Sequence, residues 1–165
     1  MAVTIKRDGF GQVEPNHLSA PRNGQVYAQL PAADSIEVLQ QGMFVKYDYA
    51  AGECNFDGNG EFMLVYNEEK LYDERHQMHK DFALRKEDMY DKVITPRVFK
   101  TFPGDIYTTN MVKEEELTVG DKLTVGADGI LAKNASPAAT DMVWQVAKET
   151  TMPDMQPAVK LQRIQ

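Results

Sequence analysis

At 165 residues and a formal charge of −7, from 25 acidic against 18 basic side chains, the chain has the length of one domain. Its charge has the wrong sign for a sequence-independent grip on nucleic acid, which needs Lys and Arg to displace counterions from phosphates. The one cysteine, Cys54, excludes an internal disulfide and a cysteine-built zinc cluster, so the fold depends on neither and suits a reducing cytoplasm.

The opening "MAVTIKRDGFGQ" has neither the apolar stretch nor the small-residue cleavage site of a secretory leader. No window approaches the roughly 18 apolar residues of a membrane span. The expectation is a soluble protein, not exported by that route and without a membrane partner. Residues 1–35 are dense in turn formers, among them Gly9, Gly11, Pro15, Pro21, Gly24 and Pro31, a spacing that predicts no helix. Val3 and Ile5 alternate with Thr4 and Lys6, and Val26, Ala28 and Leu30 repeat the strand period. This predicts an extended N-terminal arm over 1–35, with Val3, Ile5 and Phe10 as apolar contacts to a neighbouring subunit and the "VTI" backbone adding to an exposed sheet edge. A terminal strand pairing inside its own domain is the competing reading. Residues 36–165 are then the β-rich core domain.

From residue 36, "IEVLQQGMFVKYDYA" and "FMLVY" (62–66) carry β-branched and aromatic residues around the glycine-rich "DGNG" (57–60), which predicts two strands joined by a hairpin. The polar span 67–92 is the only plausible helix of the chain, with Leu71, Met78, Phe82 and Met89 near helical spacing, although "DFALRK" reads equally as a strand. After Pro96, "RVFKTF", "DIYTTNMV", "KLTV", "GILAK", "MVWQVAKE" and "AVKLQRI" are closed by Pro, Gly, Asn or Asp at short intervals. The repeated word in "LTVGDKLTVGADGILAK" (117–133) predicts a small meander, with Gly120, Gly126 and Gly129 supplying positive backbone dihedrals at one or more turns. The sum is a mainly β protein, a small β-barrel or sandwich of short antiparallel strands with at most one short helix in 67–92.

Chemistry-bearing patterns are few. Asp57, Asn59, Glu61 and Glu68 sit at calcium-loop spacing, but Phe62 stands where such a loop needs glycine and "FMLVY" prefers a strand, so the expected metal set is none. His76 and His79 are three apart, with Gln77 where a zinc hydrolase carries glutamate, and read as solvated histidines; His17 is isolated. Cys54 has no histidine near it in sequence, and no serine lies in a nucleophile elbow, so no catalytic residue is assigned. Glu114, Glu115 and Glu116 read as a solvated loop. Trp144, at the centre of an alternating strand, reads as core or interface rather than as a stacking platform for a sugar or base, and the nine methionines as adaptable packing and contact surface rather than a cofactor box.

The stretches "GMFVKYDYAAGE", "FMLVYNEEKLYD", "FPGDIYTTNMV", "LTVGDKLTV" and "PAVKLQRIQ", in that order, resemble the small head decoration, or auxiliary capsid, proteins of tailed bacteriophages. The resemblance covers roughly residues 36–165 and lies in β-turn style, without an active-site motif. It implies a β-rich core that binds the outside of an assembled shell of major capsid protein, as a homo-oligomer on local symmetry axes, and reinforces the lattice. It implies no enzymatic activity and no cofactor, with the protein on the virion exterior after assembly in the host cytoplasm. The polar span 67–92 departs from the smallest decoration proteins. A phage tail or neck component and a small β-barrel binding module are the alternatives, and an enzyme on the same fold would show a pocket with converging titratable groups.

Overall fold

Alternation along "FVKYD" sends Phe44 and Lys46 to one face of a strand and Val45 and Tyr47 to the other, and of these only Lys46 escapes burial. The strand has apolar neighbours on both sides because it lies inside a sandwich. The computed structural model describes residues 2–67, 70–71, 80–81, 83–113 and 115–165. A five-stranded sheet runs in the spatial order Val26–Tyr27, Val98–Phe99, Glu61–Val65, Phe44–Asp48, Glu53–Asn55. A six-stranded sheet runs Leu131–Lys133, Lys122–Val125, Val143–Thr151, Pro157–Arg163, Ile106–Thr109, Val13–His17. Neighbouring strands in both are antiparallel, and neither sheet closes into a barrel. The protein is mainly β and sandwich-like.

The core lies where the sheets face each other: Phe44, Leu64 and Phe99 from one pack in a single cluster with Tyr107, Trp144 and Leu161 from the other. A second cluster covers the opposite face of the five-stranded sheet, where Val45, Tyr47, Met63, Val65 and Val98 meet Ile36, Leu39 and Ile94 from connecting segments. Burial on both faces explains why "FMLVY" is a continuous apolar run instead of an alternation.

Three expectations change in detail. Residues Ala20–Asn23 form one turn of α-helix inside the turn-dense segment. Pro21 sits in the first turn, where its missing N–H costs nothing, and Gly24 ends the helix at φ +65°. The hairpin partner of Phe44–Asp48 is Glu53–Asn55, and Glu61–Val65 pairs on its other side. "DGNG" therefore passes over the end of Phe44–Asp48 and does not form a two-strand hairpin, with Gly60 so close that a Cβ would lie 2.3 Å from the Tyr47 carbonyl oxygen. In the meander only the second copy of "LTVG" makes a hairpin, Lys122–Val125 with Leu131–Lys133; Leu117 of the first pairs with Val3. Gly120 and Gly129 take positive φ, +96° and +75°, and Gly126 does not.

In 67–92, Lys70–Leu71 pairs with Lys80–Asp81, Leu84–Arg85 pairs with Val38–Leu39, and among the described residues Lys86–Asp88 form a 3-10 turn. The strand reading of "DFALRK" thus holds at Leu84–Arg85, while Met78 and Phe82 lie outside the described residues.

Residues 1–35 pair within the chain. Val3–Thr4 joins Glu116–Leu117, Val13–His17 forms an edge of the six-stranded sheet, and Val26–Tyr27 forms an edge of the five-stranded one. Pro15 is tolerated there because an edge strand need not donate from both sides, and the register shift opposite Ile106 and Tyr107 lies beside it.

Candidate functional site

The inward rows of four strands run on past the inter-sheet core and end in a cleft. Lys46 lies two residues beyond Phe44, Phe62 two before Leu64, Val125 two beyond Leu123 and Arg163 two beyond Leu161, so each shares the face of its core partner. These four, with Thr124, Glu61 and the connection 139–142, line an open cleft of ≈ 600 Å³. Its walls are mixed: Phe62, Val125 and Met142 are apolar, and Lys46 and Arg163 are cationic.

Each charged group is held differently. Lys46 Nζ donates to the Gly58 carbonyl at 2.8 Å and stands 5.1 Å over the Phe62 ring. Glu61 is taken by Lys100 at 2.8 Å, and that hydrogen bond raises the Lys100 pKa above its ordinary value. Asp141 accepts from the Ala138 N–H at 2.8 Å. Arg163 donates through Nε to the Gln165 carbonyl at 2.9 Å and through Nη1 to the Thr101 carbonyl and hydroxyl, the latter at 2.9 Å. Among the described residues Nη2 has no hydrogen-bond partner, and neither Lys46 nor Arg163 is ion-paired. Burial pulls the Arg163 pKa down, yet a guanidinium stays protonated at neutral pH.

The residues singled out from sequence lie elsewhere, apart from Glu61. Ile5 is fully buried in the inter-sheet core, its N–H donating to the Glu115 carbonyl. Val3 is half-buried, and Phe10, also half-buried, lies under the Arg85 guanidinium at 4.5 Å. Cys54 is buried, and desolvation pushes its thiol up to about 12, far from a reactive thiolate. Trp144 is fully buried core, and His17 is exposed on the edge strand. In the calcium-like loop the Asn59 N–H donates to Asp48 and Glu61 pairs with Lys100, while Glu68, His76, His79 and Glu114 lie outside the described residues. No cluster of three or more metal-ligating side chains occurs among the described residues. Sequence reading missed Lys46 and Arg163, although a signal was present: each is a cation in phase with a core residue two positions away.

Compared with known proteins, the chain matches no family model, and no curated protein or solved structure shows significant similarity to it.

Proposed function

We propose that the chain is a virion structural protein without catalytic activity, which binds the outer surface of a major capsid shell and stabilises the head, several copies clustering on the lattice. The observation that carries this reading is Met155. It stands 74% exposed at the tip of the hairpin between Val143–Thr151 and Pro157–Arg163, with φ +71°. Met152 N–H bonds the Gln156 carbonyl and Met155 N–H bonds the Met152 carbonyl, a three-residue loop whose last position favours glycine. A large apolar residue in that left-handed position costs backbone strain while the fold gains little burial from it, which supports a role in contact with another surface. The hairpin tip is also braced by Asp154 and Gln156, which accept from Gln12 Nε2 and the Asp8 N–H, so the backbone that carries Met155 is held in place.

The test is co-purification with intact heads at a fixed ratio to the major capsid protein, together with Met155→Asp. The substituted chain is expected to fold normally and to detach from heads. Its purification with tails or necks, or attachment unchanged by the substitution, would count against the reading.

A further inference from the structure

The cleft at the mouth of the sandwich has a chemistry that the capsid reading does not use. Inward positions of a strand are normally apolar, and this row ends in two cations without ion-pair partners among the described residues. Arg163 is fixed by its two bonds to Thr101 and its bond to the Gln165 carbonyl, so its orientation is set before any ligand arrives. Nη2 is left over, with two N–H donors on one nitrogen of a permanently charged group, so a carboxylate oxygen can be met end-on by a charge-assisted hydrogen bond. Lys46 adds a second positive charge to the same walls; Glu61 is neutralised by Lys100, and Asp141, bonded only to the Ala138 N–H, offsets one of the two cations, which leaves one positive charge for a single carboxylate. Phe62, Val125 and Met142 supply apolar wall beside this charge, and ≈ 600 Å³ is the volume of a small-ligand site.

We propose that this cleft binds an organic carboxylate with a short apolar stem, the carboxylate held by Arg163 and Lys46 and the stem lying against Phe62, Val125 and Met142. A phosphate suits the walls less well, because its second negative charge would find no further cation in the lining. The same chemistry can come from a free small acid or from an Asp or Glu side chain of a partner protein. The inference does not depend on the capsid reading, because binding is measured on the isolated chain.

The experiment is an amide-resolved NMR titration of the full chain with hexanoate, hexanamide and the blocked peptide acetyl-Leu-Glu-Leu-amide. Hexanoate or the peptide is expected to shift the amides of Lys46, Phe62, Thr124 and Arg163, and hexanamide to bind at least tenfold more weakly. Tighter binding of the peptide assigns a protein partner, and tighter binding of hexanoate a small acid. Lys46→Met, which keeps most of the apolar stem, and Thr140→Phe, which fills the cleft without touching a charge, are each expected to weaken the preferred carboxylate about tenfold. Arg163→Lys keeps the charge but loses the Nη2 donor that the bonds to Thr101 and Gln165 hold in place, and should weaken it further than Lys46→Met. Equal binding of hexanoate and hexanamide, shifts away from the cleft, or native affinity in both Lys46→Met and Thr140→Phe overturns the proposal. Failure of the native chain to co-purify with heads, with carboxylate binding intact, would count against the capsid reading alone.

Discussion

Trp144 meets Tyr107 edge to face, ring centroids 4.8 Å apart and planes at 84°, where the two sheets press together. Phe44 approaches the same indole from the other sheet at 5.9 Å, so the aromatic contact joins the two layers. Both Trp144 and Tyr107 are fully buried, and among the described residues the indole N–H and the phenol oxygen have no hydrogen-bond partner. A buried polar group without a partner keeps its desolvation cost, so removing it is close to free. Tyr107→Phe is therefore expected to leave stability unchanged or raise it by up to about 1 kcal/mol, whereas Trp144→Ala costs about 3–5 kcal/mol. Urea unfolding of Tyr107→Phe, followed by the fluorescence of the single tryptophan, checks the first. A loss above about 1 kcal/mol would show that the hydroxyl is bonded in the folded protein, as to a buried water.

The glycines of the 117–133 stretch separate strain from crowding. Gly120 has φ +96° with open space around it, so Gly120→Ala carries only left-handed strain, about 1–2 kcal/mol. At Gly129, φ +75°, a Cβ would lie 2.4 Å from the Phe44 carbonyl oxygen and 2.6 Å from the Phe56 ring. Gly129→Val adds overpacking to strain and is expected to cost about 3–6 kcal/mol, read from the shift in urea midpoint. Equal losses at the two sites would contradict this division.

Asp48 gives the fold an acid limit. Its carboxylate accepts from the Asn59 N–H at 3.0 Å and from the Ala51 and Ala50 N–H groups at 3.1 and 2.9 Å, which together hold its pKa below the ordinary value, the Asn59 bond contributing most. A depressed folded pKa means stability that is fully present above the unfolded value of about 3.9 and lost as pH falls through the lower folded value. Asp48→Asn is expected to destabilise the protein at neutral pH, with the gap to the native chain closing below about pH 4. Urea midpoints of both proteins measured across that range decide it; a gap that persists unchanged in acid would assign the loss to geometry and not to charge.

Met155→Gly should act in opposite directions on folding and on contact. Releasing the left-handed strain stabilises the isolated chain by about 1 kcal/mol, and removing the side chain weakens attachment to the surface it touches. Thermal melting and co-sedimentation with heads measure the two effects separately. A melting temperature that falls would mean that Met155 serves the fold itself.

The mainly β character was legible because short apolar runs and turn residues report strands locally, and the place of Trp144 in an alternating strand narrowed it to core or interface, of which the structure shows core. Pairing partners were not. The two "LTVG" words are identical, yet Leu117 pairs with Val3 and Leu123 with Trp144 and Lys133, because partner choice depends on residues more than a hundred positions away or just downstream. The cleft was hidden for a related reason: Lys46 and Arg163 look like ordinary surface charges until the strands are in register and their phase with Phe44 and Leu161 sets them inward.

Residues 1–12 give the sharpest remaining test, because the arm and core readings predict opposite results for a truncated chain. The segment is tied down by several independent contacts. Val3–Thr4 pairs with Glu116–Leu117, Ile5 is fully buried among the inter-sheet residues, and Arg7 Nη1 donates to the Val112 carbonyl at 2.8 Å. Gly11 packs where a Cβ would lie 2.1 Å from the end of Met111 and 2.5 Å from the Gln41 carbonyl oxygen, so the chain is threaded closely between neighbours. Emptying the Ile5 site alone, by Ile5→Ala, is expected to cost about 2–5 kcal/mol. Deleting residues 1–12 removes that burial together with the Val3–Thr4 ladder and leaves Leu117 without its strand partner, so the isolated truncated chain should melt well below the full-length one or fail to fold. An intermolecular arm predicts the reverse, unchanged melting with loss of attachment, and that result would mean that these contacts add little to the stability of the isolated chain. Thermal melting of the purified truncation, compared with Ile5→Ala, separates the two without any partner present.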